Sequence, residues 1–230
     1  MSSPEPHHRL SRPEAVLVAI AITLAFVAIP EWLSGVTGRW CTRAFQRLFA
    51  TDSGNEFWGF LYHFWALCLG LLLVGGSPRK YGLCRGNLRP HRGRVMAMIG
   101  LPLTVATIGC QFIPLPEWMG QNMALWMISP LAQDLVFGGF IYVLIESVFP
   151  GDLHQRLPIR RTVVISGIFF SLHHLPNVLY SPVWFVLLQL CYTYLGYLMM
   201  GLVRQWTGSL LYVTFTHSLG NLIGWWFARG

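Results

Sequence analysis

Seven stretches of the chain are apolar almost without interruption: roughly 15–36, 57–76, 95–113, 123–149, 162–175, 182–203 and 209–227. Crossing a bilayer takes about 20 mostly apolar residues, because the hydrocarbon layer is about 30 Å thick and a helix rises about 1.5 Å per residue. Unpaired backbone groups are not tolerated in lipid, so such runs fold as helices; the period-two alternation of a barrel strand is absent from them. The pattern predicts an all-α fold, a polytopic helical membrane bundle of about seven transmembrane helices. The fifth run is short, and it borrows residues from Ile159 onwards, tilts little, or is partly shielded by its neighbours. No repeat, low-complexity linker or shift of composition divides the chain, so residues 1–230 form a single membrane domain.

Composition agrees with this reading: 54% of residues are hydrophobic and 11% are charged, where a soluble domain carries about a quarter charged residues. The bases lie between the apolar runs. Arg9 and Arg12 precede the first; Arg79, Lys80, Arg85, Arg89, Arg92 and Arg94 follow the second; Arg156, Arg160 and Arg161 follow the fourth; Arg204 ends the sixth. The alternate connections carry Arg39, Arg43 and Arg47, then none, then none, with Arg229 at the end. Because Lys and Arg stay on the cytoplasmic side, the N-terminus is expected in the cytoplasm and the C-terminus outside, in the cell (inner) membrane. The bases form no continuous stripe, which excludes nucleic acid as a partner. Cys41, Cys68, Cys84, Cys110 and Cys191 have no ligand spacing and read as packing residues. The run 15–29 ends in Pro30-Glu31-Trp32 with no small-residue cleavage pattern, so it reads as a retained span. Residues 38–56, with aromatics interleaved among arginines, fit an interfacial amphipathic helix or a plain connecting loop.

The polar residues inside the apolar runs carry the chemistry. Asp134 lies near the middle of the fourth run, where a carboxylate is costly unless it faces the bundle interior and finds partners. Gln133 precedes it, Pro130 one turn upstream should kink the helix, and Gly138 and Gly139 leave a bare surface for another helix or an extended peptide. Phe170 and His174 share a helix face at i,i+4, with His173 turned about 100° away. Pro176 ends that run, and Asn177 beside it could cap the helix or bind water. In the seventh run His217 and Asn221 repeat the i,i+4 relation, so an imidazole and a carboxamide can hold a water or an oxyanion between them. His63, Gln111 and Gln189 read as ordinary interhelical partners. A carboxylate, two histidines and an asparagine on three runs, each near a small residue or a proline, favour a site.

At these positions the chain resembles the intramembrane proteases named for CAAX processing and bacteriocin processing, also called the Abi family. That family carries EExxxR on one span, FxxxH on the next, and HxxxN or HxxxD on a later one. The counterparts are Gln133-Asp134-Leu135-Val136-Phe137-Gly138, Phe170 to His174 followed by Leu-Pro-Asn, and His217 to Asn221 preceded by Gly208-Ser209-Leu210. The likeness runs from about 129 to 224, inside a catalytic half of about 122–227. Three positions depart from the pattern: Gln133 and Asp134 replace the two glutamates, and Gly138 replaces the arginine.

The resemblance implies an intramembrane endopeptidase cleaving a peptide or lipidated protein tail at the membrane. In it Asp134 is the general base, since a glutamine cannot accept a proton. His174 and His217 orient or ligate the water, Asn221 stabilises the oxyanion, Gln133 bonds substrate or water, and Phe170 and Gly138 contact substrate. A divalent metal such as zinc would suit two histidines and a carboxylate, and a metal-free mechanism fits the resemblance equally. Loss of the leading glutamate and the arginine also allows an inactive relative that holds a peptide, as an immunity-type protein would. A proton-relay transporter stands third, weakened by the lack of an inverted repeat.

Overall fold

The computed structural model describes residues 10–49, 54–112, 123–179 and 181–228. Its helices are α1 Arg12–Phe49, α2 Gly54–Val74, α3 Arg92–Phe112, α4 Met123–Asp134, α5 Tyr142–Val148, α6 Arg161–Leu172, α7 Val183–Thr207 and α8 Leu210–Ala228. Each expected apolar run therefore carries a helix. Among the described residues, four helical stretches are long and apolar enough to cross a membrane: Arg12–Pro30, Ser129–Val148, Arg161–Leu179 and Val183–Thr207. The apolar stretch Tyr62–Val74 of α2 is shorter. The fifth run does not borrow from Ile159, which lies in a short strand; it starts at Arg161 and gains its length by extending through a 3₁₀ turn, Leu175–Leu179, past Pro176. α1 is helical through Phe49, while the faces of 38–56, on which the interfacial reading depends, lie outside the described residues.

Two features go beyond the expected all-α pattern. The chain stays helical through Pro130 and widens at Leu135–Ile141, a π-helical segment that joins α4 to α5 into one rod. Between α5 and α6 lies a small antiparallel hairpin, β1 Asp152–His154 with β2 Leu157–Arg160. It folds because the end of α7 completes its hydrogen bonding. The Arg160 amide donates to Gln205 Oε1 at 3.0 Å, and Gln205 Nε2 donates to the Pro158 carbonyl at 2.8 Å.

The rod 123–148 is the centre of the bundle. Leu135, Val136, Phe137 and Ile141 form the core with Phe26 of α1, Leu69 of α2, Phe170 of α6, Tyr197 of α7 and Leu210 of α8. Small residues set how closely the helices approach, as expected where van der Waals contact rather than water expulsion drives association. A Cβ on Gly70 of α2 would stand 2.7 Å from Leu135 Cβ, and one on Gly201 of α7 would stand 2.7 Å from Val163 Cγ1 of α6. The outward faces stay apolar: Leu17, Ile20 and Leu24 on α1 and Val183, Leu187 and Leu195 on α7 are exposed, as lipid requires. α7 ends at Gly208, whose φ of +70° lets the chain turn back into α8.

Candidate active site

Asp134 closes α4 at the start of the π segment and is 0% exposed. His217 of α8 reaches it, with Nδ1–H donating to Asp134 Oδ1 at 3.2 Å. That bond fixes Nδ1 as the protonated ring nitrogen and turns Nε2 to the far edge of the imidazole. The second carboxylate oxygen, Oδ2, is buried and has no hydrogen-bond donor among the described residues. One oxygen of the carboxylate thus orients an imidazole while the other is available to accept a proton.

Phe170 stands between the two histidines named from sequence. Its ring lies edge-on to His217 with centroids 5.5 Å apart and to His174 at 5.6 Å. It also packs on Phe137 at 5.8 Å and Tyr197 at 4.8 Å. Phe170 is therefore an internal wall that sets the spacing of the imidazoles. Asn221 lies one helical turn beyond His217 on α8, on the same face by register. Gln133 is buried beside Asp134, and its side chain makes no hydrogen bond to a described residue. The bare surface at Gly138 is taken by α8, where a Cβ would stand 2.8 Å from Leu210 Cδ1, and by the Arg204 side chain of α7, whose Nε donates to its carbonyl at 3.4 Å. A helix, rather than a peptide, occupies it.

His173 does not point away as regular helix geometry would have it. α6 ends at Leu172, and in the turn that follows, the rings of His173 and His174 meet with centroids 3.8 Å apart. Both Nδ1 atoms donate to the Phe170 carbonyl, His174 at 3.3 Å. His173 is buried, stacks on Phe137 at 4.9 Å, and leaves Nε2 with no partner among the described residues. The signal for it was the adjacent histidine pair just before Pro176, where the helix has to end and the 100° step no longer applies. Asn177, next in the turn, donates from Nδ2 to Gln189 Oε1 of α7 at 2.8 Å. His63 of α2 differs from its expected role: it packs edge-on against Tyr62, and its Nδ1 has no partner among the described residues.

A zinc ion needs three protein ligands around one point. Asp134 and His217 meet, but among the described residues no group of three His, Cys, Asp or Glu side chains is arranged to hold a metal ion. These residues do not fit a three-ligand zinc centre. Cys68, Cys84 and Cys191 are free thiols.

Comparison with known proteins agrees with the motifs. Residues 116–223 match the family model described as type II CAAX prenyl endopeptidase, Rce1-like. No curated protein and no solved structure matches the chain.

Proposed function

We propose, taking residues 116–223 as a half similar to the type II CAAX prenyl endopeptidases, that the chain is an intramembrane endopeptidase acting on a peptide or lipidated protein tail at the membrane. α1, α2, α3, the rod 123–148, α6, α7 and α8 then form seven spans, with the N-terminus in the cytoplasm of a cell (inner) membrane. The observation that carries the reading is the buried Asp134 held by His217.

In this mechanism Asp134 Oδ2 takes a proton from water as the hydroxide forms a bond to the scissile carbonyl carbon. His174, with Nδ1–H committed to the Phe170 carbonyl, offers Nε2 to accept the other O–H and aim the water. The Asn221 carboxamide donates to the developing oxyanion without any change of charge. Gln133 hydrogen-bonds water or substrate. On collapse of the tetrahedral species the C–N bond breaks and the proton held by Asp134 passes to the leaving amine, so one water has been divided between the two products.

Gln133 supports a second reading, an inactive relative that binds a peptide: a neutral amide occupies the place of the leading glutamate and makes no hydrogen bond to a described residue. Cleavage of a farnesylated CAAX peptide by protein in nanodiscs separates the two. The protease reading expects turnover that Asp134→Asn abolishes with the helical content intact. Equal cleavage by Asp134→Asn refutes the base assignment. No cleavage by the parent together with a gain in Gln133→Glu establishes the inactive relative.

A further inference from the structure

We infer that Tyr197 and Arg204 of α7 are positioning residues that clamp the π segment and so aim Asp134 at His217. The inference rests on the protease reading for its kinetic consequence and on geometry alone for its structural one. A π turn closes i→i+5 bonds, is rare within α-helices, and persists where surrounding groups hold it. Its extra residue also rotates everything upstream relative to everything downstream. The direction of Asp134, the residue just before Leu135–Ile141, is therefore set by how this segment is fixed.

Two donors fix it, and both come from one face of α7, seven residues apart. Tyr197 Oη donates to the Phe137 carbonyl at 3.0 Å, and Arg204 Nε donates to the Gly138 carbonyl at 3.4 Å. They hold two successive carbonyls of the π segment. Arg204 is otherwise hard to explain. A cation within a span is costly, this one is buried, and it makes no ion pair among the described residues. Its guanidinium lies over the Tyr142 ring, 5.5 Å from the centroid, and Nη1 donates to the Gly208 carbonyl.

The connection after α2 is shaped to seat it. Gly82, with φ of +88°, passes so close that a Cβ would overlap the guanidinium. The Leu210 amide donates to the Gly82 carbonyl at 2.8 Å, and Ser209 Oγ donates to the Cys84 carbonyl at 2.6 Å, which tie this connection to the turn between α7 and α8. The same turn leads into the helix that carries His217. One arginine thus links both partners of the Asp134–His217 contact.

The test uses the full chain in nanodiscs with ring-¹⁵N histidine, the His217 signal being assigned by its loss in His217→Gln. Tyr197→Phe, which removes one hydroxyl, and Arg204→Met are each expected to shift the His217 Nδ1 resonance and to lower kcat about tenfold with KM within about twofold. Arg204→Lys, which restores a donor, is expected to recover about a third or more of the lost kcat. If the parent does not cleave, the protease reading fails, and the His217 resonance in Tyr197→Phe still decides the clamp. An unshifted resonance with unchanged kcat and only a lower melting temperature overturns it. So does an Arg204→Met variant that fails to fold while Tyr197→Phe leaves the resonance where it was.

Discussion

The rod 123–148 and the start of α1 are both apolar helical runs, yet they sit in different solvents. Of the apolar window in Ser129–Val148, 61% is buried inside the protein, against 28% for Arg12–Pro30. The first surrounds itself with other helices; the second turns Leu17, Ile20 and Leu24 outward. Only the first carries a mid-span carboxylate, an amide, two consecutive glycines and a π segment. A polar group is tolerable at membrane depth when protein rather than lipid forms its surroundings. The buried rod can hold a site, and the lipid-facing helix serves as part of its wall.

That contrast can be broken from the rod outwards. The largest effect is expected at the contact itself: His217→Ala should cut peptide cleavage about 10²- to 10⁴-fold, the usual worth of a positioned acid–base group, with circular dichroism unchanged. Next comes the ring that supports the histidines. Phe137→Ala should cost about 3–5 kcal/mol in a denaturant titration in detergent, because it opens a cavity beneath His173 and Phe170. Gly70→Leu should cost less, about 1–3 kcal/mol by overpacking, since Leu135 and the Ala132 carbonyl already fill the space beside Gly70. Leu24→Ala, on the exposed face of α1, should change stability by no more than about 0.5 kcal/mol in the same titration. If Leu24→Ala costs as much as Phe137→Ala, α1 is buried by something other than lipid and the comparison fails.

Much of this was legible in the residues. Asp134 stood out because a carboxylate in an apolar run needs an explanation, and the i,i+4 pairs Phe170/His174 and His217/Asn221 needed only helix periodicity. The resemblance to the CAAX-processing proteases followed from the order and spacing of those residues. Helix periodicity does not locate His173, because α6 ends one residue before it. Arg204 has the sequence position of a base in a connection, yet its side chain turns inward onto Gly138. The proline and glycine signals marked the right rod, but the π segment at Leu135–Ile141 has no local signature of its own.

The sequence by itself determined the solvent, the helices and the identity of the polar cluster, because hydropathy and i,i+4 spacing act within a single segment. Which of those polar groups meet was decided only by tertiary structure. The Asp134–His217 contact joins positions 83 residues apart, and the two α7 donors reach back 60 and 66 residues to the π segment. Such contacts depend on how closely helices pack and in which rotation, quantities set jointly by Gly70, Gly201 and the side chains opposite them, which no local pattern records.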